Sequence, residues 1–528
     1  MKNNLTVDVI LYNQVVGILS WDDSRQLANF QFYPSFIKNG WDVAPVIMPL
    51  NKYTKDRIYS FPANRNECFK GLPGLIADAL PDKYGNQIID EWFAAHGLSG
   101  MDITPLDRLC YIGNRAMGAM EFHPSKNIKG LNDSTILRMD TLVELADKVY
   151  RDRLSFRQNI LQQDKAILDI LKIGTSAGGA KPKAIIALNE KTNEIRSGQV
   201  KAPEGFTYWL MKFDGTTFQE NGYKIDHPKG ISNIEYAYYK MATDCQIKMT
   251  DCRLLQEGDS FHFMTKRFDR TDDGEKIHMQ TLAAMAHYDR DSRHSYEEAF
   301  QIFRKIGLNY NDYEQFFRRM VFNIVARNHD DHTKNHSFLM DNKGRWTLAP
   351  AYDLCYSYSP EGRWTSRHQM SANGKQDEFC WEDLQTVGER MDIKKYDIII
   401  EEIVDYVSQW SSYAKNCGVY DKHAELIKDN LRLLNKPHNI ANKIDIHHPE
   451  ENKITDIAIF ESGSDYKISC KINGVRQLGL KLSLTEKILY KNTVENGIQP
   501  EIERFKQNLV EKYFAQSDNI ETSKTFKR

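Results

Sequence analysis

The sequence predicts an α+β protein: a strand-rich N-terminal unit, a mixed sheet-and-helix core, a mostly helical segment and a small C-terminal α/β unit. Three observations predict it. Residues 5–33 are short apolar or alternating runs. A glycine-rich loop at 174–183 is followed by strand, strand, helix and strand as far as 268. From 311 to 434 apolar residues recur at helical spacing, and new strand-like runs follow a polar stretch at 435–453. The units so drawn are 1–125, 126–268, 269–435 and 450–515.

Each element has its own signal. Val7, Val9 and Leu11, then Val15 to Leu19, flank Asn13 and read as a hairpin, with Leu27–Tyr33 as a further strand. Helical stretches are expected at Tyr84–Phe93 and Asp140–Tyr150. Ala184–Leu188 and Phe206–Phe213 read as strands, the second with Trp209, Met211 and Phe213 on one face. Ser232–Cys245 reads as a helix and Phe261–Phe268 as a strand. The clearest helix is Asn311–Arg327, where Tyr313, Phe316, Phe317, Met320, Val321, Ile324 and Val325 share a face. Helices at Trp381–Met391, Tyr396–Ala414 and Lys422–Leu434 follow. Ile454–Phe460 and Tyr466–Gly479 read as strands, with Asn473-Gly474 as a tight turn, and Glu501–Phe514 as a closing helix.

Composition excludes several classes. With 41% hydrophobic and 27% charged residues the chain reads as globular, and a net charge of −2 gives no footprint for binding nucleic acid unaided. Eight scattered cysteines form no CxxC pair, which argues for reduced thiols in a cytoplasmic protein. No apolar run is long enough for a membrane span, and the first residues do not resemble a signal peptide.

The densest polar stretch is Asn328-His329-Asp330-Asp331-His332-Thr333-Lys334-Asn335-His336, followed by Leu348 to Leu354. Phosphoryl transfer needs a carboxylate to orient a hydroxyl, and an amide with a second carboxylate to hold Mg²⁺. Asp330, Asn335 and Asp353 supply those groups, 5 and 18 positions apart by subtraction (335 − 330, 353 − 335), across a probable strand at 346–348. Lys334 is a candidate to steady the transferred group. Upstream, Ser176, Ala177, Gly178, Gly179, Ala180, Lys181 and Lys183 make a loop whose backbone N–H groups suit phosphate oxygens, although an ordinary glycine turn fits as well. Lys212 is either a snorkelling strand residue or a phosphate-binding cation. Glu235, three residues after Ser232, is either a capping-box partner or the carboxylate that pairs with Lys212. Arg267, Phe268 and Asp269 are either a charged strand end or the place where backbone groups near Arg267 and Phe268 meet an adenine edge, with Asp269 near the ribose.

Histidines allow a rival. A metal-dependent phosphohydrolase would combine His287, His329, Asp330 and Asp353, but leaves Lys212 and the glycine loop unexplained. A catalytically silent scaffold is the second rival.

Taken in order, Val16-Gly17-Ile18-Leu19, Gly71-Leu72-Pro73-Gly74-Leu75, Leu80-Pro81-Asp82, Ser176 to Lys183, Lys212-Phe213, Arg267 to Arg270, Asn328 to Asn335 and Leu348 to Leu354 resemble the HipA family of Ser/Thr protein kinases, toxins of type II toxin–antitoxin systems. The resemblance runs from about 5 to 415. It implies a two-lobed, protein-kinase-like core with an N-terminal subdomain. It implies ATP and Mg²⁺ as cofactors, Asp330 as base, Asn335 and Asp353 as Mg²⁺ ligands, and Lys212 as the ATP-phosphate lysine. It also implies autophosphorylation at Ser176, a cytosolic protein substrate, in some members an aminoacyl-tRNA synthetase, and a helix-turn-helix antitoxin through which DNA is met indirectly. Residues 436–528 exceed the family's usual length, and no chemistry is assigned to them.

Overall fold

The structure is a computed structural model that describes residues 5–81, 83–98, 103–125, 131–139, 142–143, 169, 171–174, 182–215, 217–220, 223–226, 229–436, 446–447, 453–462, 465–472 and 475–481. The chain is mixed α and β, as the sequence predicts. It divides into a unit of residues 1–433 and a second of 434–528.

The first unit opens with an antiparallel sheet in the order Leu27–Phe32, Gln14–Asp22, Thr6–Leu11, Met120–His123. Val7, Val9 and Leu11 alternate inward and are fully buried. Tyr12 and Asn13 turn the hairpin at φ +49° and +61°, the left-handed pair that matches strand twist. Gly17 crosses beneath Phe30: a Cβ there would lie 2.7 Å from its ring and 2.4 Å from the Gln31 carbonyl. The sheet does not stand alone. Tyr12 Oη donates to the Met340 carbonyl at 2.7 Å and accepts from His278 N at 2.8 Å.

A six-stranded sheet follows, ordered Cys252–Glu257, Ser260–Lys266, Thr207–Lys212, Lys183–Asn189, Glu194–Ser197, Ile136–Leu137. Trp209, Met211 and Phe213 point into one core with Ala184, Ile186 and Met264, the face their alternation predicts. Lys183 and Lys212 stand opposite each other in adjacent strands, with Phe263 beyond Lys212. The Ile231–Asp244 helix packs on the Cys252–Glu257 and Ser260–Lys266 strands.

Asn309 caps the Tyr310–Val325 helix by accepting from Asp312 N. Phe316, Phe317, Met320, Val321, Ile324 and Val325 are fully buried. Arg327 ends the helix at φ +58° and releases the polar loop. That loop leads into a three-stranded sheet, His278–Thr281, Ser337–Met340 and Trp346–Leu348, of which the sequence signalled only the last strand. The expected helix at 396–414 is two, Tyr396–Ser408 and Trp410–Asn416. Helices at Pro105–Ile112 and Tyr296–Ile306 are additional.

The second unit contains an antiparallel sheet ordered Ile446–His447, Lys453–Ser462, Asp465–Ile472, Val475–Lys481. Of the helix expected at 140–150 only residues 142–143 are described, and these are helical; the helix expected at 501–514 and the 473–474 turn lie outside the described residues. Among the described residues no helix is long and apolar enough to cross a membrane.

Candidate active site

Lys212, at the end of its strand, sets the geometry. Its Nζ lies 2.5 Å from Glu235 Oε1 and donates also to Asp353 Oδ1. Burial alone would push this amine down, but the Asp353 and Glu235 carboxylates overcome it and hold the amine well above its ordinary value. Burial likewise opposes ionisation of Asp353, yet Lys212 and then Lys183 pull its carboxyl below the ordinary carboxylate range. The Asp353 side chain is 37% exposed and sits on backbone at φ +53°.

This settles the two readings of Glu235. The helix is capped not by Ser232 but by Gly230, at φ +94°, with no side-chain cap. Asp214, two residues beyond Lys212, takes that role by accepting from Gly230 N at 2.8 Å and Ser232 N at 3.2 Å. Ser232 Oγ instead accepts from Phe263 N at 3.2 Å. The capping-box pattern is therefore unused, and Glu235 is left to pair with Lys212.

The 328–336 loop is joined to the Asp353 turn by several bonds. Asn328 Nδ2 reaches the Asp353 carbonyl at 3.4 Å, and Tyr352 Oη donates to the Lys334 carbonyl at 2.7 Å. Ser357 Oγ donates to Asn328 Oδ1 at 3.1 Å and accepts from Asp330 N at 2.9 Å. Asp330 is half exposed; Gln369 Nε2 donates to its Oδ1 at 2.7 Å and His332 Nε2 stands 3.8 Å from it. Burial lowers the His332 pKa, Asp330 and Asp353 raise it, and Arg290 and Lys334 lower it, so His332 lies in the field of both acids. Asn335 Nδ2 is committed to the Asp330 carbonyl at 2.7 Å, which turns its Oδ1 into the amide's remaining acceptor.

Asp331, beside Asp330, is a different group. It is buried and accepts from Tyr296 Oη at 2.8 Å and Gln369 N at 2.8 Å, with His368 Nδ1 at 3.0 Å. It pins the loop from behind. The Lys334 charge also reaches the segment between the first sheet's strands: it lowers the Asp78 and Cys68 pKa values that burial raises.

The structure corrects the expectation for Asp269. Asp269 is 1% exposed and grips Arg267 at 2.8 and 2.7 Å, Arg270 at 3.0 Å and Gly118 N at 2.7 Å. These partners consume the Asp269 carboxylate, which is therefore not free for a ribose. The Arg267 and Asp269 side chains, with Arg270 bonded to the Gly118 and Ala116 carbonyls, tie residues 116–118 to the core. Phe268 is half-buried, its ring 5.6 Å from that of Tyr352 beside Asp353. Ser176, Ala177, Gly178, Gly179, Ala180 and Lys181 lie outside the described residues; Lys183 is buried opposite Lys212.

The histidines are not brought together. His287 accepts from Gly74 N at 2.9 Å against Phe61 and Phe69. His329 packs on His368 and Tyr358, its Nδ1 3.0 Å from the Thr365 carbonyl, and burial pushes its pKa down to about 2.

Two family models match the chain: the HipA N-terminal domain over residues 7–123 and the HipA-like C-terminal domain over 175–411. A solved Shewanella oneidensis toxin–antitoxin complex of HipA, HipB and operator DNA is similar at a TM-score of 0.51 and 15% identity, covering 80% of this chain and 94% of that one. At that identity the likeness is one of fold. A Helicobacter pylori proinflammatory kinase, CtkA, aligns with a TM-score of 0.29 at 13% identity, over 42% of this chain and 84% of its own. A Sinorhizobium fredii protein named putative kinase Y4dM is 27% identical over 31% of this chain. The chain spans 41% of that relative's length. The fold and the two matched domains define a pairing of a HipA N-terminal domain with a HipA-like C-terminal domain. The chain belongs to the HipA family.

Proposed function

We propose that the chain is an ATP- and Mg²⁺-dependent serine/threonine protein kinase of HipA type. The observation that carries the reading is the meeting of Lys212, Glu235 and Asp353 from a strand, a helix and a distant turn, bonded to the loop that presents Asp330. A strand lysine held by a helix glutamate is the arrangement that places a cation against nucleotide phosphates.

The residues fit the cofactors. Asn335 Oδ1 and the Asp353 carboxylate form a hard oxygen donor pair suited to Mg²⁺, and Lys212 with Lys183 supplies positive charge beside them. Bound Mg²⁺ and ATP supply the phosphoryl group and the charge that neutralises it. Asp330 accepts the proton of the acceptor hydroxyl, and Gln369 and the Ser357–Asn328 bonds fix its direction. Lys334 lies on the same loop and contributes to the field there. Phe268 and Tyr352 offer an aromatic edge to the base. The 174–183 loop would cover the phosphates, and phosphate on Ser176 would repel ATP from it. The buried side chains of Arg267, Asp269 and Arg270 take no part in the chemistry, while backbone groups near Arg267 and Phe268 would meet the adenine edge.

On this reading the acceptor is a cytosolic protein, and a helix-turn-helix antitoxin is the partner through which DNA is met; the Shewanella HipA was solved together with HipB and operator DNA. The phosphohydrolase reading loses ground because His287 and His329 are committed to separate parts of the fold. Incubation of the purified protein with γ-labelled ATP and Mg²⁺ tests the proposal. Label on protein supports it; label released only as free phosphate, or none consumed, refutes it.

A further inference from the structure

A cavity of about 460 Å³ opens between the loop carrying Ser60, Phe61, Asn64 and Asn66 and the segment from His287 to His294. Its size is that of a ligand site. His287 lines it with a fixed ring: Nε2 accepts from Gly74 N at 2.9 Å, Asn64 Nδ2 lies 3.3 Å from Nδ1, and Phe61 meets it edge-on at 4.6 Å. Burial pushes the His287 pKa down to about 4 and lowers that of His294, so both rings are neutral at pH 7. Asp289 is then the one charged side chain among the lining residues. Glu298, whose carboxylate is 3.9 Å from His294, adds negative charge nearby, while Arg290 pairs with Asp291 at 3.3 Å. Ser60 adds a buried hydroxyl without a hydrogen-bond partner. A carboxylate beside aromatic faces and neutral acceptors suits a cation on a flexible stem.

The cavity adjoins the loop that holds Asp330. His294 stacks on Tyr288 at 4.3 Å, and the Tyr288 carbonyl accepts from Thr333 Oγ1 at 3.0 Å. We propose that this cavity receives a lysine or arginine side chain of the acceptor polypeptide, with Asp289 as counter-ion and Phe61 and His287 as its aromatic wall. The assignment deepens the kinase reading and rests on it for the identity of the occupant.

The test is binding of serine-containing peptides to the full chain without nucleotide, read by fluorescence anisotropy. A peptide with one arginine is compared with the same peptide carrying citrulline, its neutral isostere. Expected is saturable binding of the arginine peptide, weakened about tenfold by citrulline or by Asp289→Asn, and retained in Asp289→Glu, consistent with loss of one charge-assisted contact. Equal affinity for the two peptides, or arginine binding unchanged in Asp289→Asn, overturns the proposal. Because ATP is absent, this result is independent of whether label transfers to protein.

Discussion

Lys212 and Asp353, 141 positions apart, share a direct ion pair, and Glu235 holds the same ammonium from a third element. The three charges lie in a partly buried site, where the lysine side chain is 17% and the glutamate 9% exposed. Removing the cation leaves the two carboxylates with Lys183 as the remaining nearby positive charge, which raises the Asp353 pKa and distorts its turn. Lys212→Met is expected to lower phosphate transfer from ATP by at least about a hundredfold, with Glu235→Gln showing a smaller loss in the same direction. The check is the initial rate of γ-label incorporation. A Lys212→Met rate near that of the native chain would remove the central contact from the mechanism.

Asp330 is placed by its surroundings rather than by a charge partner. Its backbone amide is held by Ser357, its Oδ1 by Gln369, and half of the side chain stays open to an incoming hydroxyl. Asp330→Asn keeps the size and the backbone anchor but loses the proton acceptor. Transfer is expected to fall by roughly 10²–10⁴-fold while ATP affinity, read by calorimetry, changes little. Phosphate on Ser176, read by mass spectrometry after ATP incubation, should vanish in the same variant. Undiminished turnover in Asp330→Asn would assign the base elsewhere.

Asp353→Ala separates metal holding from proton transfer. The substitution removes one of the two proposed oxygen ligands and one partner of Lys212. Mg-ATP affinity is expected to drop about tenfold or more, and raising the Mg²⁺ concentration should restore part of it. Calorimetry showing the same affinity and the same Mg²⁺ dependence as the native chain would count against ligation by Asp353.

Much of this arrangement was legible in the sequence because it depends on local pattern. The apolar stripe of Asn311–Arg327, the alternation of Trp209, Met211 and Phe213, and the order of Asp330, Asn335 and Asp353 are short-range signals, and the corresponding elements fold that way. What the sequence could not show is pairing at long range. Ser232 and Glu235 have capping-box spacing, yet the cap is Gly230 with Asp214, because the helix starts two residues earlier than Ser232 requires. Gln369 carries no motif and reaches Asp330 only through the fold. Asp269 sits where a ribose contact was expected, but two arginines and Gly118 N consume its carboxylate. Two flanking arginines at 267 and 270 were the available signal for that role, since buried carboxylates are found paired.

Asp269→Asn should therefore act on stability, not on nucleotide binding. It leaves Arg267 and Arg270, 5% and 6% exposed, without their shared carboxylate. Breaking a buried ion group by removing one partner costs roughly 3–5 kcal/mol. Burial would raise the Asp269 pKa, but Arg267 and Arg270 reverse this and depress it strongly. A depressed carboxylate stabilises the fold fully above the ordinary carboxylate range and loses that contribution as pH falls through the folded value. Urea denaturation at pH 7 should thus show the whole loss. ATP affinity of the folded variant should match the native chain; a specific fall in that affinity with unchanged stability would return Asp269 to the nucleotide site.

Acid should weaken the fold well before carboxylates protonate. Burial lowers the pKa of His278 and His336 to about 3 and of His287 to about 4, whereas unfolded histidines titrate near 6.5. Below that pH the unfolded chain binds protons that the folded chain refuses, so stability rises with pH across the interval. Each of these three groups is expected to cost about 1.4 kcal/mol on going from pH 7.5 to 5.5. Asp42, Asp78 and Asp312 work in the opposite sense, because burial raises their pKa values and folding then favours proton uptake. Asp331 adds nothing in this window, since its pKa is lowered and it stays ionised in both states. The net expectation is a urea midpoint that falls between pH 7.5 and 5.5, with His278→Gln and His336→Gln each flattening the dependence. A midpoint that stays constant or rises on acidification would mean that the buried carboxyls outweigh the imidazoles.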